Sequence, residues 1–240
     1  MALNPQATSA TSRFGSGQAV RRLEDDALLQ GLGQFTDDVT VPDLAYLVFV
    51  RSPYPHAQIQ SIDTSGAASM PGVLQVLTGA DLVAAGVKPL PGVSGYKRAD
   101  RTPAATSERH ALAVGRVRFV GEPVVAVVAA TLQQARDAAE AVVIAFDELP
   151  MVVHPAVAVQ PGAPVLCEQA PDNISAETHY GDAAVCDAAF ARAAHVVQLQ
   201  ITNQRVVALT LEPRSALATW DADTQRMTVR MSTQTPSGVR

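Results

Sequence analysis

The sequence predicts a mixed α/β fold of the α+β kind, on three observations. Pro123–Ala130 (PVVAVVAA) is apolar on both faces, as a central strand is. Leu132, Ala135, Ala138, Ala139 and Val142 follow at helical spacing, with Thr131 placed to cap the helix. Ser215–Trp220 and Met227–Ser232 alternate in polarity around the polar cluster 221–225, which reads as a β-hairpin.

The remaining elements follow in chain order. Residues 1–22 are a small, polar tail. Leu44–Val50 is a continuous apolar run between Pro42 and Pro53, the pattern of a buried strand. Ala57–Ile62 alternates like a half-buried strand. Asp63 or Thr64 can cap the short helix SGAASM, which Pro71-Gly72 stops. Val73–Thr78 is a strand and Gly79–Ala85 a short helix closed by Gly86. The order strand, helix, strand predicts a βαβ unit, and residues 123–146 predict a second. Residues 87–110 form a long loop, either facing a partner or cofactor or inserted without order. Asp187–Ala194 reads as a helix and His195–Ile201 as a strand. The domain limits that follow are a tail over 1–22, an α/β domain over 23–152, a Pro-rich linker over 153–172 and a second domain, unfinished at Arg240, over 173–240.

The 240 residues are 48% hydrophobic and 17% charged, with a net charge of -5. That apolar fraction excludes global disorder. Mild acidity excludes a generic nucleic-acid reader, which needs a basic face. No stretch reaches the ~20 apolar residues of a membrane helix, and the N-terminus lacks the apolar region of a signal peptide. The expectation is a cytoplasmic protein with neither nucleic acid nor membrane as partner. Cys167 and Cys186 cannot staple a disulfide scaffold and lack zinc-ligand spacing, so they read as ordinary thiols.

Five scattered histidines, His56, His110, His154, His179 and His195, form no metal-binding motif. There is no nucleophile elbow and no phosphate-binding loop. No catalytic residue and no metal ligand is assigned. Two clusters remain. Asn203-Gln204-Arg205 with Leu211-Glu212-Pro213-Arg214 gathers an amide, a carboxylate and two guanidinium groups. Either Glu212 pairs with an arginine to hold a bend, or Arg205, Glu212 and Arg214 shape a pocket. Ser232-Thr-Gln-Thr-Pro236 ends the last strand. It is either turn chemistry or a ligand site in which Gln234 both donates and accepts.

Six segments in register carry a resemblance: 21–63, 70–82, 117–150 (VRFVGEPVVAVVAATLQQARDAAEAVVIAFDELP), NQR (203–205), LEPRSALATWD (211–221) and STQTP (232–236). Together they resemble the N-terminal portion of the molybdenum-binding large subunit in the xanthine dehydrogenase/aldehyde oxidase/carbon monoxide dehydrogenase family. The resemblance implies an α/β-hammerhead domain followed by an incomplete α+β molybdopterin-binding domain.

It also implies an oxidoreductase that hydroxylates aldehydes or N-heterocycles, or oxidises carbon monoxide. The implied cofactor is molybdenum–molybdopterin, in its cytosine dinucleotide form. The implied partners are a 2Fe-2S small subunit, an FAD medium subunit, the remaining large-subunit segment and a small-molecule substrate. Gln234 matches the family glutamine that hydrogen-bonds an oxo ligand of the molybdenum. Glu212 and Arg214 match the family's MEPR motif, with Leu211 replacing methionine, and imply a pocket wall. The family's glycine-rich segment and its late glutamate, the general base, have no match here. By itself the chain is therefore expected to be inactive. The alternative is a non-catalytic truncated fragment or a structural or assembly module of such a complex.

Overall fold

The computed structural model describes residues 22–90, 92, 95–203, 207, 209–210 and 212–239. In chain order the elements are α1 (Asp25–Leu29), a 3-10 turn (Thr36–Asp38), β1 (Tyr46–Arg51), β2 (Ala57–Asp63), α2 (Ser65–Ala68), β3 (Val73–Thr78) and α3 (Gly79–Ala84). They continue with β4 (Arg116–Val117), β5 (Pro123–Ala129), α4 (Leu132–Glu140), β6 (Val143–Glu148), α5 (Pro155–Ala158), α6 (Ala183–Arg192), β7 (Ala216–Asp221), β8 (Arg226–Met231) and α7 (Pro236–Val239).

Contacts divide the chain into two compact units: 42–202, and the described residues up to Val41 together with those from Asn203. In the first unit two three-stranded sheets form, ordered β1-β5-β3 and β4-β2-β6. Every pairing in them is antiparallel. This corrects the βαβ expectation, because the strands flanking each helix lie in different sheets. The connection 64–72 is too short for a parallel crossover, which takes a dozen residues or more. α4 has the length for one but hands the chain from β5 to β6 in the other sheet.

The core lies between these sheets and α4. Val124, Val125 and Val127 of β5 have no exposed surface, and neither do Ala135 and Ala138 of α4. Burying a valine contributes about 1.5–3 kcal/mol, and the alanines let the helix approach the sheet closely. Thr131 caps α4 as the sequence predicts, its Oγ1 accepting the Gln134 N–H at 3.2 Å. Thr78 caps α3 in the same way, and the Asp81 carboxylate returns the bond to the Thr78 N–H at 2.7 Å. Those bonds from Thr78, its hydroxyl first, hold the Asp81 carboxyl below the usual carboxylate range.

Three further expectations change. β1 is an edge strand whose faces differ: Val50 packs on the core while Leu47 and Phe49 are 49% and 39% exposed. α6 starts earlier than its alanine run because Asp182 caps it, accepting the Val185 N–H at 3.1 Å. His195–Ile201 forms no strand and is exposed throughout. An alternating pattern becomes a strand only where a neighbouring backbone offers hydrogen bonds, and none among the described residues does.

The loop 87–110 is held by this chain's own segment 172–177. Arg98 forms an ion pair with Asp172 at 2.7 Å and donates to the Ile174 carbonyl. The Ala105 N–H donates to the Ser175 carbonyl at 2.8 Å, and the Glu177 N–H donates to the Lys97 carbonyl at 2.9 Å. Nearby, Asn173 ties 158–166 together, donating to the Ala158 and Pro164 carbonyls and accepting the Leu166 N–H.

Candidate functional site

The hairpin of the second unit lies between the described residues of the two sequence clusters, Glu212–Arg214 before β7 and Ser232–Thr235 after β8. β7 and β8 pair in unbroken register from Ala216 opposite Met231 to Asp221 opposite Arg226. The closed end is the turn 222–225, where Gln225 takes φ 52°. Asp221 Oδ1 accepts the N–H groups of Asp223 (2.9 Å) and Thr224 (3.2 Å). Its carboxyl is thereby held below the usual range, by Thr224 foremost.

The open end follows from the same register. Ala216 and Met231 face each other, so Ser215 enters and Ser232 leaves the ladder at the same end. Opposed residues in such a ladder have Cα atoms about 4.5–5.5 Å apart. Chain segments twenty residues apart in sequence therefore share one end of a hairpin.

The side chains there are polar and accessible. Gln234 and Arg214 are exposed and Glu212 is half-buried. The Ser215 hydroxyl oxygen is buried and has no hydrogen-bond partner among the described residues. Thr235 donates its N–H to the Thr233 hydroxyl at 3.1 Å, and Thr210 donates its hydroxyl to the Glu212 carbonyl at 2.6 Å. Glu212 forms no salt bridge with Arg214, and the other arginine expected to pair with it, Arg205, lies outside the described residues. Gln204, Arg205 and Leu211 lie outside the described residues. The arrangement gathers an amide, a guanidinium, a carboxylate and several hydroxyls with few internal partners. Such a set recognises a polar or anionic group by hydrogen bonding. Among the described residues no group of three His, Cys, Asp or Glu side chains could hold a metal ion directly.

Sequence reasoning missed one neighbour of this site. The 3-10 turn Thr36–Asp38 packs against β7. Its signal was local, a carboxylate three residues after Phe35: Asp38 Oδ2 accepts the Phe35 N–H at 2.9 Å. A separate open cleft of about 360 Å3 lies in the first unit. It is lined by Arg109 and Arg118 but also by Glu108 and Glu122, so the opposite charges balance.

Two families match the chain. One, described as the aldehyde oxidase and xanthine dehydrogenase a/b hammerhead domain, covers residues 30–150. The other, the molybdopterin cofactor-binding domain, covers residues 166–240. The chain is 38% identical to the nicotine 6-hydroxylase large subunit of Paenarthrobacter nicotinovorans, over 93% of this chain and 26% of that protein. It is 34% identical to the carbon monoxide dehydrogenase large chain of Afipia carboxidovorans, over 94% of this chain and 28% of that protein. Among solved structures it is similar to quinoline 2-oxidoreductase from Pseudomonas putida 86, with a TM-score of 0.78 and 33% identity, covering 93% of this chain and 27% of that one. A Cu,Mo-CO dehydrogenase gives a TM-score of 0.76 at 33% identity, covering 93% and 28%. The chain thus spans about a quarter of the length of the relatives it matches. With a mixed α/β fold and matches across both of its halves, this chain belongs to the xanthine dehydrogenase/aldehyde oxidase/carbon monoxide dehydrogenase family of molybdenum-binding large subunits.

Proposed function

We propose that this chain supplies the hammerhead domain and the first stretch of the cofactor-binding domain to a cytoplasmic molybdenum hydroxylase. The domain limits proposed are a tail to residue 22, a hammerhead over 23–152, a linker over 153–172 and the cofactor-binding stretch over 173–240. The whole enzyme oxidises or hydroxylates an aldehyde, an N-heterocycle or carbon monoxide. It passes the electrons to 2Fe-2S and FAD subunits. The remaining large-subunit segment, with the general base, completes the site.

The observation that carries this reading is the open end of the β7–β8 hairpin. There Ala216, four residues after Glu212, pairs with Met231, three before Gln234, which supports a shared site. The residues present fit a molybdenum–molybdopterin group, and the form proposed for it is the cytosine dinucleotide. The exposed Gln234 amide can donate to or accept from it, and Arg214 can meet its anionic charge. The unpartnered Ser215 hydroxyl is a further polar contact within the same approach segment. When bound, the group supplies the two-electron oxidation. Gln234 binds and orients it, while Glu212 and Arg214, with Arg205, shape the pocket wall.

The exposed apolar side chains of the cofactor-binding stretch support a partner of the same polypeptide or complex. Val197, Leu199, Ile201 and Leu209 are 76–95% exposed, more apolar surface than a free chain usually presents.

The test is Gln234→Ala in the complex purified from its source. Turnover should fall at least about tenfold, the loss of one hydrogen bond to a charged or reacting group. Molybdenum content and subunit composition should stay unchanged. Undiminished turnover would remove Gln234 from the site.

A further inference from the structure

We infer that the 3-10 turn Thr36–Asp38, which precedes every strand among the described residues, is a positioning element for the cofactor hairpin, with Thr36 as the residue that seats β7. The inference rests on the reading of Gln234 given above. The hammerhead match begins at residue 30 and so includes this turn. The contacts assign it differently, with residues 203–240.

Three observations support this. The turn packs directly on β7. Thr36 is 8% exposed and is the one buried side chain among the described residues of its unit. The turn is stiffened from within: the Asp38 carboxylate accepts the Phe35 N–H at 2.9 Å, the Asp38 N–H donates to the Phe35 carbonyl at 3.2 Å, and the Val39 N–H donates to the Thr36 carbonyl at 3.3 Å.

The physical need is plain. A two-stranded hairpin alone is marginal in water, and every residue of β8 is exposed. β7 is exposed at every position but Leu217, which is half-buried, and the turn lies against this strand. Because β7 and β8 are locked in register, what seats β7 also fixes the open end from which Gln234 projects. No hydrogen bond of the Thr36 side chain exists among the described residues, so its contribution is one of shape. Thr36 acts on the cofactor through β7 and touches no reacting atom.

The experiment is hydrogen–deuterium exchange on the full chain with Thr36→Arg and Thr36→Val. The arginine should speed exchange in β7 and β8 at least about tenfold while β1, β3 and β5 keep native protection. The valine, which keeps the shape, should restore near-native exchange in the hairpin. Unchanged hairpin protection in Thr36→Arg would overturn the inference. So would equal loss in β1, β3 and β5, or a valine variant as exposed as the arginine one. Gln234→Ala separates the two readings. If it leaves turnover intact while Thr36→Arg still deprotects the hairpin, the role of Gln234 fails and the role of Thr36 stands.

Discussion

The two compact units solve opposite problems. In 42–202, Val124, Val125 and Val127 of β5 are fully buried between the sheets and α4. In the other unit β8 is exposed along its whole length, and Thr36 alone is buried among the described residues. The first unit buries its central strand, though Val197, Leu199 and Ile201 of the same unit stay exposed. The second presents polar termini at one end of a hairpin and relies on a short turn for cover. The difference teaches that burial is concentrated around β5 and α4, while the hairpin unit stays open to solvent.

The contrast is broken most directly through the core. Leu112, 2% exposed, should cost about 2–5 kcal/mol when changed to alanine. Val229→Ala in β8 should cost no more than about 0.5 kcal/mol. Chemical denaturation of the full chain measures both, and equal losses would erase the distinction.

A backbone approach in the first unit sharpens it. A Cβ on Gly79 would lie 2.4 Å from the Ala113 carbonyl oxygen and 2.9 Å from that of Leu112. Gly79→Ala should therefore destabilise by about 1–3 kcal/mol, as overpacking does. At Gly95 the added Cβ meets nothing within 4 Å, so Gly95→Ala serves as the neutral control in the same thermal melts.

Caps come next. Thr131→Ala removes the acceptor for the Gln134 N–H and should cost about 1 kcal/mol. Faster amide exchange in the first turn of α4, with β7 and β8 unaffected, is the expected signature.

The smallest effect is a pH dependence confined to the hairpin. Hydrogen bonds from Thr224, and from the Asp223 N–H, depress the Asp221 carboxyl in the folded chain. A depressed folded value means the stabilisation is present above the unfolded carboxylate value, about 3.9. It is lost as pH falls through the folded value. The one tryptophan, Trp220, adjoins Asp221 in β7. Its fluorescence should shift as pH drops below about 4, and Asp221→Asn should abolish that shift.

Much of this architecture was legible along the chain. β5 and α4 announce themselves because an apolar run and a helical repeat are local patterns. The β7–β8 hairpin does too, since alternation and turn residues fix its register. What pairs with what was not legible. Two strands around a helix look the same whether they pair with each other or part to different sheets, and here they part. His195–Ile201 has a strand's alternation, yet a strand also needs a partner backbone. Of the site, the Glu212–Arg214 and Gln234 clusters were legible as polar groupings, and the resemblance gave them roles; the hairpin between them is what the structure adds. The turn Thr36–Asp38 was hidden because its contact to β7 spans the whole first unit in sequence, and nothing in a three-residue turn signals so distant a neighbour.

The most direct test of the central claim is native mass spectrometry with metal analysis on the protein purified from its own cells. The account predicts molybdenum associated with this polypeptide, in a complex with further large-subunit sequence and with iron–sulfur and flavin subunits. A metal-free species of 25.2 kDa without partners would contradict it.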